Sequence, residues 1–324
     1  MFRRFSFWHS LRFVVRLIKR LNNRRMVSKI MKKFLLGALG LLALTLAGCS
    51  NNKVTTKKNT YRPTALTAVV KGTAGAKHVN YQIDNGKKQT VKTNGGAYFF
   101  QVPAATKDQT VKITAGSAKK TITVKKVKAL GNYKKLAAKY NQMVIGTYLP
   151  TKVQKQLQTA QKTQAATKKK LAALAKTDPM AAAAAAQKQQ AAAKQLQAEM
   201  ATAKKKAKDS LLPTTTKDGV KNLVDTKYTT VRANVQDGKL MGLAMITPTK
   251  QMKTKTGQKK FGTTFALLGT TLNAKPKYVI NKFEKVLKDA KKNSSSTTTK
   301  TIESNGIRFN TGFSTDHLYI YMTK

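Results

Sequence analysis

Cys49 is the single cysteine of the 324-residue chain, and it follows Leu46-Ala47-Gly48 at the end of an apolar run that begins at Phe34. A thiolate is the strongest nucleophile a side chain offers, so an isolated cysteine here is suited to alkylation. Small Ala47 and Gly48 leave the preceding backbone open to a peptidase. Basic Lys32-Lys33, a 13-residue apolar stretch and small residues stand in the order of a secretory signal. The stretch is too short to span a bilayer, which needs roughly 20 apolar residues. Little else in the chain has the residues for chemistry. The twelve acidic residues all follow Cys49 and are scattered singly, and the histidines beyond it are His78 and His317. Asp84, Asp178 and Asp237 stand at turn or capping positions, and Glu284 and Asp289 on the polar side of a helix. Asp316-His317 is the one acid-histidine neighbour pair, and strand alternation would place the two on opposite faces. With no G-x-S-x-G elbow, phosphate-binding glycine loop or H-E-x-x-H motif, no catalytic, metal or cofactor site is expected.

The tetrapeptide resembles the lipobox of bacterial lipoprotein precursors. The resemblance implies that Leu46, Ala47 and Gly48 are read by the signal peptidase, that the Cys49 thiol carries a diacylglyceryl group, and that the cut falls between Gly48 and Cys49. It also implies a lipid-anchored protein on the extracellular face of a Gram-positive cell membrane. Residues 1–30 precede Met31-Lys32-Lys33, which reads as a natural start, so they are taken as lying upstream of it. The other reading is a basic amphipathic helix, since Phe5, Trp8, Leu11, Val15, Ile18 and Leu21 recur at helical spacing among seven arginines.

The formal net charge is +51; the first 48 residues hold eleven basic and no acidic side chains, which leaves +40 beyond them. Nearly all of it is lysine, because Arg62, Arg232 and Arg308 are the three arginines after Cys49. Lysine is a hydrated point charge without the guanidinium fork, so the balance favours diffuse attraction to polyanions. Outside a Gram-positive membrane these are teichoic acids and anionic headgroups. Nucleic acid is not expected, since neither zinc-finger spacing nor a ribonucleoprotein aromatic signature is found.

The pattern predicts an α+β multidomain chain. It divides into a signal region at 1–48, a lipidated tether at 49–63, a β-sandwich at 64–127, a helical hairpin at 130–212 and an α+β domain at 217–324. In the sandwich, Asn85-Gly86 predicts a type I′ hairpin. The rhythm of Tyr81–Val91, Gly95–Ala104 and Gln109–Ala115 resembles the bacterial immunoglobulin-like modules of Gram-positive surface proteins, which implies a small sandwich.

Thr151-Lys152-Val153-Gln154 has the form of a capping box, and Asp178-Pro179 that of a second helix start. Val153, Leu157, Ala160, Gln164, Thr167, Leu171 and Leu174 face Ala186, Ala193, Leu196, Met200, Ala203 and Ala207 in a thin antiparallel seam, a spacer or a self-association arm. In the last domain, residues 252–260 read as a basic loop and 261–272 weakly as strand. One amphipathic helix from Pro276 and three strands from Thr301 follow. The expected function is a non-catalytic, wall-associated surface lipoprotein with its two terminal domains at either end of the arm. A transporter's solute-binding lipoprotein and a lipoprotein chaperone or wall-enzyme accessory are the alternatives.

Overall fold

The computed structural model describes residues 53–292 and 301–324. Cys49, its recognition residues Leu46, Ala47 and Gly48, residues 1–30 and the serine-threonine stretch at 293–299 lie outside the described residues. The fold is α+β and multidomain, in two compact units: residues up to Ala137 with Pro213–Lys324, and Ala138–Leu212.

The first unit begins as a sandwich. A three-stranded sheet, β1 (Val54–Thr56), β3 (Thr67–Ala74) and β6 (Ala97–Pro103), faces a five-stranded one. The latter is ordered β2 (Thr60–Tyr61), β8 (Ala118–Val124), β7 (Gln109–Ala115), β4 (His78–Ile83), β5 (Gln89–Lys92). Period-2 alternation sends Val70, Val79, Phe100, Val102, Val111, Ile113, Ile122 and Val124 into the shared core. There the Tyr81 and Phe100 rings stack with centroids 4.0 Å apart.

The sandwich starts earlier than the tether reading expects: Val54 and Tyr61 are core residues, because β1 and β2 each complete a sheet edge. The Asn85-Gly86 turn also differs. Asp84 takes the left-handed conformation instead (φ 49°), while its amide donates to Thr110 O. Pairing of β4 with β7 overrides the local dipeptide, and β4 and β5 are joined by a longer loop. At Asp237-Gly238 and Asn305-Gly306 both central residues have positive φ, as a type I′ turn requires.

The C-terminal sheet is ordered β10 (Gly219–Asp225), β11 (Thr230–Gln236), β12 (Lys239–Pro248), β15 (His317–Thr323), β14 (Ile307–Phe313), β13 (Ile302–Ser304), all antiparallel. Short β9 (Gly131–Asn132) pairs with the start of β12. Two helices accompany this sheet where one was expected, because residues 255–271 are helical. The helix α1 (Tyr133–Tyr148) belongs to the hairpin region, α2 (Thr151–Thr177) and α3 (Pro179–Ala207) form its arms, and α4 (Lys255–Thr271) and α5 (Pro276–Lys292) belong to the sheet. The loop and strand readings of 252–272 are therefore corrected. Thr254 Oγ1 caps α4 by accepting from Gly257 N at 2.9 Å, and Phe261, Phe265, Leu268 and Leu272 are buried at helical spacing. The Phe265 ring meets Phe309 of β14 at 5.9 Å.

Sandwich and sheet share one unit rather than occupying opposite ends of an arm. Fully buried Asn234 of β11 donates from Nδ2 to Leu66 O (2.9 Å) and Ala104 O (2.8 Å), clamping two sandwich loops. Leu66 packs on Ala244 and Ile246, and a Cβ on Gly242 would stand 2.9 Å from Leu66 Cδ2. Asn234→Ala leaves Ala104 O without its side-chain donor at a buried position, for which we expect a loss of about 2 kcal/mol in denaturant unfolding. A loss below about 0.5 kcal/mol would remove the clamp from the argument.

In the second unit, α2 and α3 pack as a hairpin. Its base is closed by buried Tyr140, Val144, Leu149, Ala203, Ala207 and Leu212. There, Asn141 and the Leu212 backbone exchange two hydrogen bonds of 2.7 Å. Asp178 caps α3, its carboxylate accepting from Ala181 N at 2.9 Å. The expected capping box at Thr151 is absent: α2 follows Pro150, and Gln154 Nε2 donates back to Leu149 O at 2.8 Å. The seam is likewise discontinuous. Ala160, Gln164, Thr167, Ala186 and Ala193 are exposed, because such small or polar side chains offer little apolar area to draw the helices together midway.

Candidate anion-binding cleft

Alternation sorts the C-terminal sheet onto two faces. Met245, Phe309, Ile320 and Met322 are buried on one. On the other, Arg232, Ala244, Tyr321 and Asn310 form a row across β11, β12, β15 and β14, fixed by the pairs Arg232↔Ala244, Ala244↔Tyr321 and Asn310↔Tyr321. Arg308 and Tyr319 stand two residues from this row on β14 and β15. Leu66 covers part of this face, and beside it lies a cavity of about 710 Å³ whose opposite wall includes Thr67, Val69 and Gln101 of the sandwich. Ala244, small beside Tyr321, gives the floor its depth. The Tyr319 and Tyr321 rings are near-parallel, with centroids 6.1 Å apart.

The cavity is cationic. Arg232, Arg308, Lys128 and Lys324 line it, and among the described residues no Asp, Glu, His or Cys side chain does. Arg232 Nε donates to Asn222 Oδ1 at 2.8 Å, which holds the guanidinium plane and leaves its terminal amino groups without a hydrogen-bond partner among the described residues. Arg308 Nη2 donates to the main-chain oxygen of Lys324 at 2.6 Å, and Asn310 Oδ1 accepts from Thr301 Oγ1 at 2.6 Å. Burial raises the Tyr321 phenol pKa, with Tyr319 adding to the rise and the Arg232 charge opposing it. The phenol therefore stays a neutral donor at neutral pH.

A second cavity, of about 960 Å³, adjoins the first and shares Val127, Lys128 and Lys324 with it. It adds Arg62, Lys126 and Lys239, together with the Lys125–Asp108 ion pair at 2.7 Å. All three arginines that follow Cys49 thus line these two adjoining cavities. Cations, hydroxyls and amides in this arrangement can bind and orient an oxyanion. They do not supply a general acid and base of opposed character.

Asp108 positions the connector that borders both cavities. Its carboxyl is held below the ordinary 3.8, first by the Lys125 side chain and then by the Lys126 amide, which donates to Oδ1 at 2.8 Å. A depressed carboxyl contributes stability that is present above its unfolded pKa and lost as pH falls through its folded one. Hydrogen-exchange protection of the Lys126 amide is accordingly expected to hold at pH 5 and to decline below about pH 3.8. Protection unchanged down to pH 2 would overturn this assignment.

The remaining sequence candidate needs a correction. Asp316 and His317 do meet, Nδ1 to Oδ1 at 2.9 Å, because Asp316 lies in the turn before β15 and strand alternation does not apply to it. Ser314 Oγ donates to the same Asp316 oxygen at 2.9 Å and accepts from His317 N at 3.1 Å. Serine, aspartate and histidine are together, but the hydroxyl is bonded to the carboxylate and not to the imidazole, so no base activates it. These contacts lower the Asp316 pKa, the His317 bond most of all, and staple the β14–β15 turn. His78 is an exposed residue at the start of β4.

In the sequence the scarcity of arginine points to diffuse attraction, and no spacing brings the three residues together. The signal was in the composition: three guanidinium forks stand out among 49 lysines beyond Cys49.

No family model matches the chain, and no curated protein matches it. Among solved structures, it is similar to a crystal structure of an FMN-binding beta-glucuronidase from Facaelibacterium prausnitzii L2-6. The likeness covers 24% of this chain and 12% of that one at 22% identity, with a TM-score of 0.21. The match therefore spans about an eighth of that protein's length, and it carries no argument about this one.

Proposed function

We propose that the protein is a lipid-anchored surface protein on the extracellular face of the cell membrane, with a non-catalytic role in binding anionic wall polymers such as teichoic acid. The observation that carries this reading is the exposed lysine coat. Beyond Cys49 there are 52 basic side chains against twelve acidic ones, and along the hairpin Lys152, Lys155, Lys168, Lys169, Lys170, Lys188 and Lys194 are all exposed. Such a surface attracts polyanions over roughly a Debye length, about 8 Å at physiological salt. Among the described residues no helix is long and apolar enough to cross a membrane. In this reading the bilayer is held through the lipid on Cys49. A solute-binding lipoprotein would need two α/β lobes about a hinge, whereas the strand pairs here are antiparallel apart from β2–β8.

The test is sedimentation of the detergent-solubilised mature protein with purified walls, with and without their teichoic acid. Binding is expected to need the polymer and to be released by about 0.5 M salt, where screening shortens the interaction range to a few ångströms. Binding indifferent to salt, or to removal of the polymer, would sink the proposal.

A further inference from the structure

We infer that the cleft between Arg232 and Arg308 is a discrete phosphodiester-reading site, taking two backbone phosphates of a linear polyol-phosphate chain. The inference rests on the wall-polymer reading above and adds to it the residues and the group they read. The lysine coat provides attraction without register; a guanidinium fork provides two parallel donors that fit a phosphate's oxygens.

The placement of the arginines supports recognition. The chain carries lysine almost everywhere beyond Cys49, yet each of its three arginines borders these two cavities. Arg232 is pre-oriented, its Nε tied to Asn222 while its terminal amino groups have no hydrogen-bond partner among the described residues. Arg232 and Arg308 lie on β11 and β14, three strand spacings apart and two residues out of register, roughly 16 Å between backbones, so they suit a ligand with more than one anionic group. Between them the Tyr321 ring, with Tyr319 beside it, offers an apolar face to the carbon units that link phosphates, and Asn310 and Thr311 offer neutral polar groups. Among the described residues no acidic side chain lines the cleft, and Arg308 gives one N–H, from Nη2, to the main-chain oxygen of Lys324, which leaves its other N–H groups for an anion. Carboxylates fit the same forks; the phosphodiester is favoured because the polymer proposed as partner carries its charge there.

The closing experiment compares the detergent-solubilised mature protein with its R232K/R308K variant, which keeps every charge and loses both forks. The probe is a glycerol-phosphate hexamer, titrated by calorimetry at physiological salt. The variant is expected to bind about tenfold more weakly or worse. A second variant, N310D, keeps the acceptor for Thr301 Oγ1 and adds a carboxylate on the cleft floor; it is expected to weaken binding at least as much. Thermal melting of all three proteins separates lost binding from lost fold.

Equal affinity in the wild type and R232K/R308K, with both folded, would overturn the inference while leaving the wall-polymer reading standing. Tighter binding of a thymidine hexanucleotide, of hexaglutamate, or of phosphatidylglycerol vesicles would also overturn it, moving the ligand to nucleic acid, a carboxylate polymer or a lipid headgroup. Failure of the wild type to sediment with walls, beside fork-dependent binding of the hexamer, would remove the wall-polymer reading and leave the phosphodiester site.

Discussion

Replacing Cys49 with alanine is expected to abolish both lipid attachment and cleavage, and intact-mass measurement should show it directly. In the proposed pathway the thiol is alkylated first and the cut before Cys49 follows, so the wild type should appear as a chain beginning at Cys49 with diacylglyceryl mass. The variant should retain the signal region and carry no lipid. Mass is the proper readout, because an uncleaved signal could also hold the variant at the membrane. Wild-type partitioning supplies the second half of the test. One acyl chain gives marginal binding and two give stable anchoring, at about 0.8 kcal/mol per buried CH₂. Wild-type protein should therefore stay with membranes in 1 M salt, where the Debye length of about 3 Å removes the lysine contribution, and leave in detergent. An unmodified Cys49 in the wild type would end the lipoprotein reading.

Gly72→Ala is expected to be the most damaging single-methyl change in the sandwich. A Cβ at this position would lie 1.9 Å from Thr55 O and 2.6 Å from the Tyr98 ring. Neither neighbour yields cheaply: Thr55 O belongs to β1, which pairs with β3, and the Tyr98 hydroxyl donates to that same oxygen at 2.7 Å. Accommodating the methyl means separating β1 from β3 and exposing Val54. Overpacking of this kind costs roughly 3 kcal/mol, a large part of a typical stability of about 5–15 kcal/mol. At roughly 2–4 °C per kcal/mol, the melting temperature should fall by about 6–12 °C. Gly116→Ala is the informative control. That residue has φ 59° but open space around its Cβ, so the change should cost about 1 kcal/mol from backbone strain alone. If Gly116→Ala proved the more destabilising of the two, backbone conformation and not strand contact would govern the sandwich.

Local signals were reliable where one stretch of chain could satisfy them by itself. Asp178 before Pro179 caps α3 as expected, and Asp237-Gly238 and Asn305-Gly306 make their turns, because each needs only a few neighbouring residues. They misled where a distant strand competed. Asn85-Gly86 has ideal hairpin chemistry, yet Thr110 of β7 takes the Asp84 amide and shifts the left-handed residue. In α4 the threonines Thr263, Thr264, Thr270 and Thr271 weighed toward strand. Phe261, Phe265, Leu268 and Leu272 carried the helical period, and packing of Phe265 on Phe309 is what that period serves.

What the sequence determined by itself was chemical and compositional. It placed one thiol directly after Leu46-Ala47-Gly48, a large lysine excess, a shortage of carboxylates and histidines, and the order of sandwich, hairpin and terminal sheet. These follow from residue identity and short-range pattern. Only the tertiary structure decided that sandwich and sheet share one unit, because the contacts responsible, Asn234 to Leu66 and Ala104, join residues more than a hundred positions apart. The cleft is of the same kind. Arg62, Arg232 and Arg308 are unremarkable at their separate places in the chain; strand order and period-2 alternation bring Arg232 and Arg308 onto one face, and the Lys125–Ala129 connector joins that face to the cavity of Arg62.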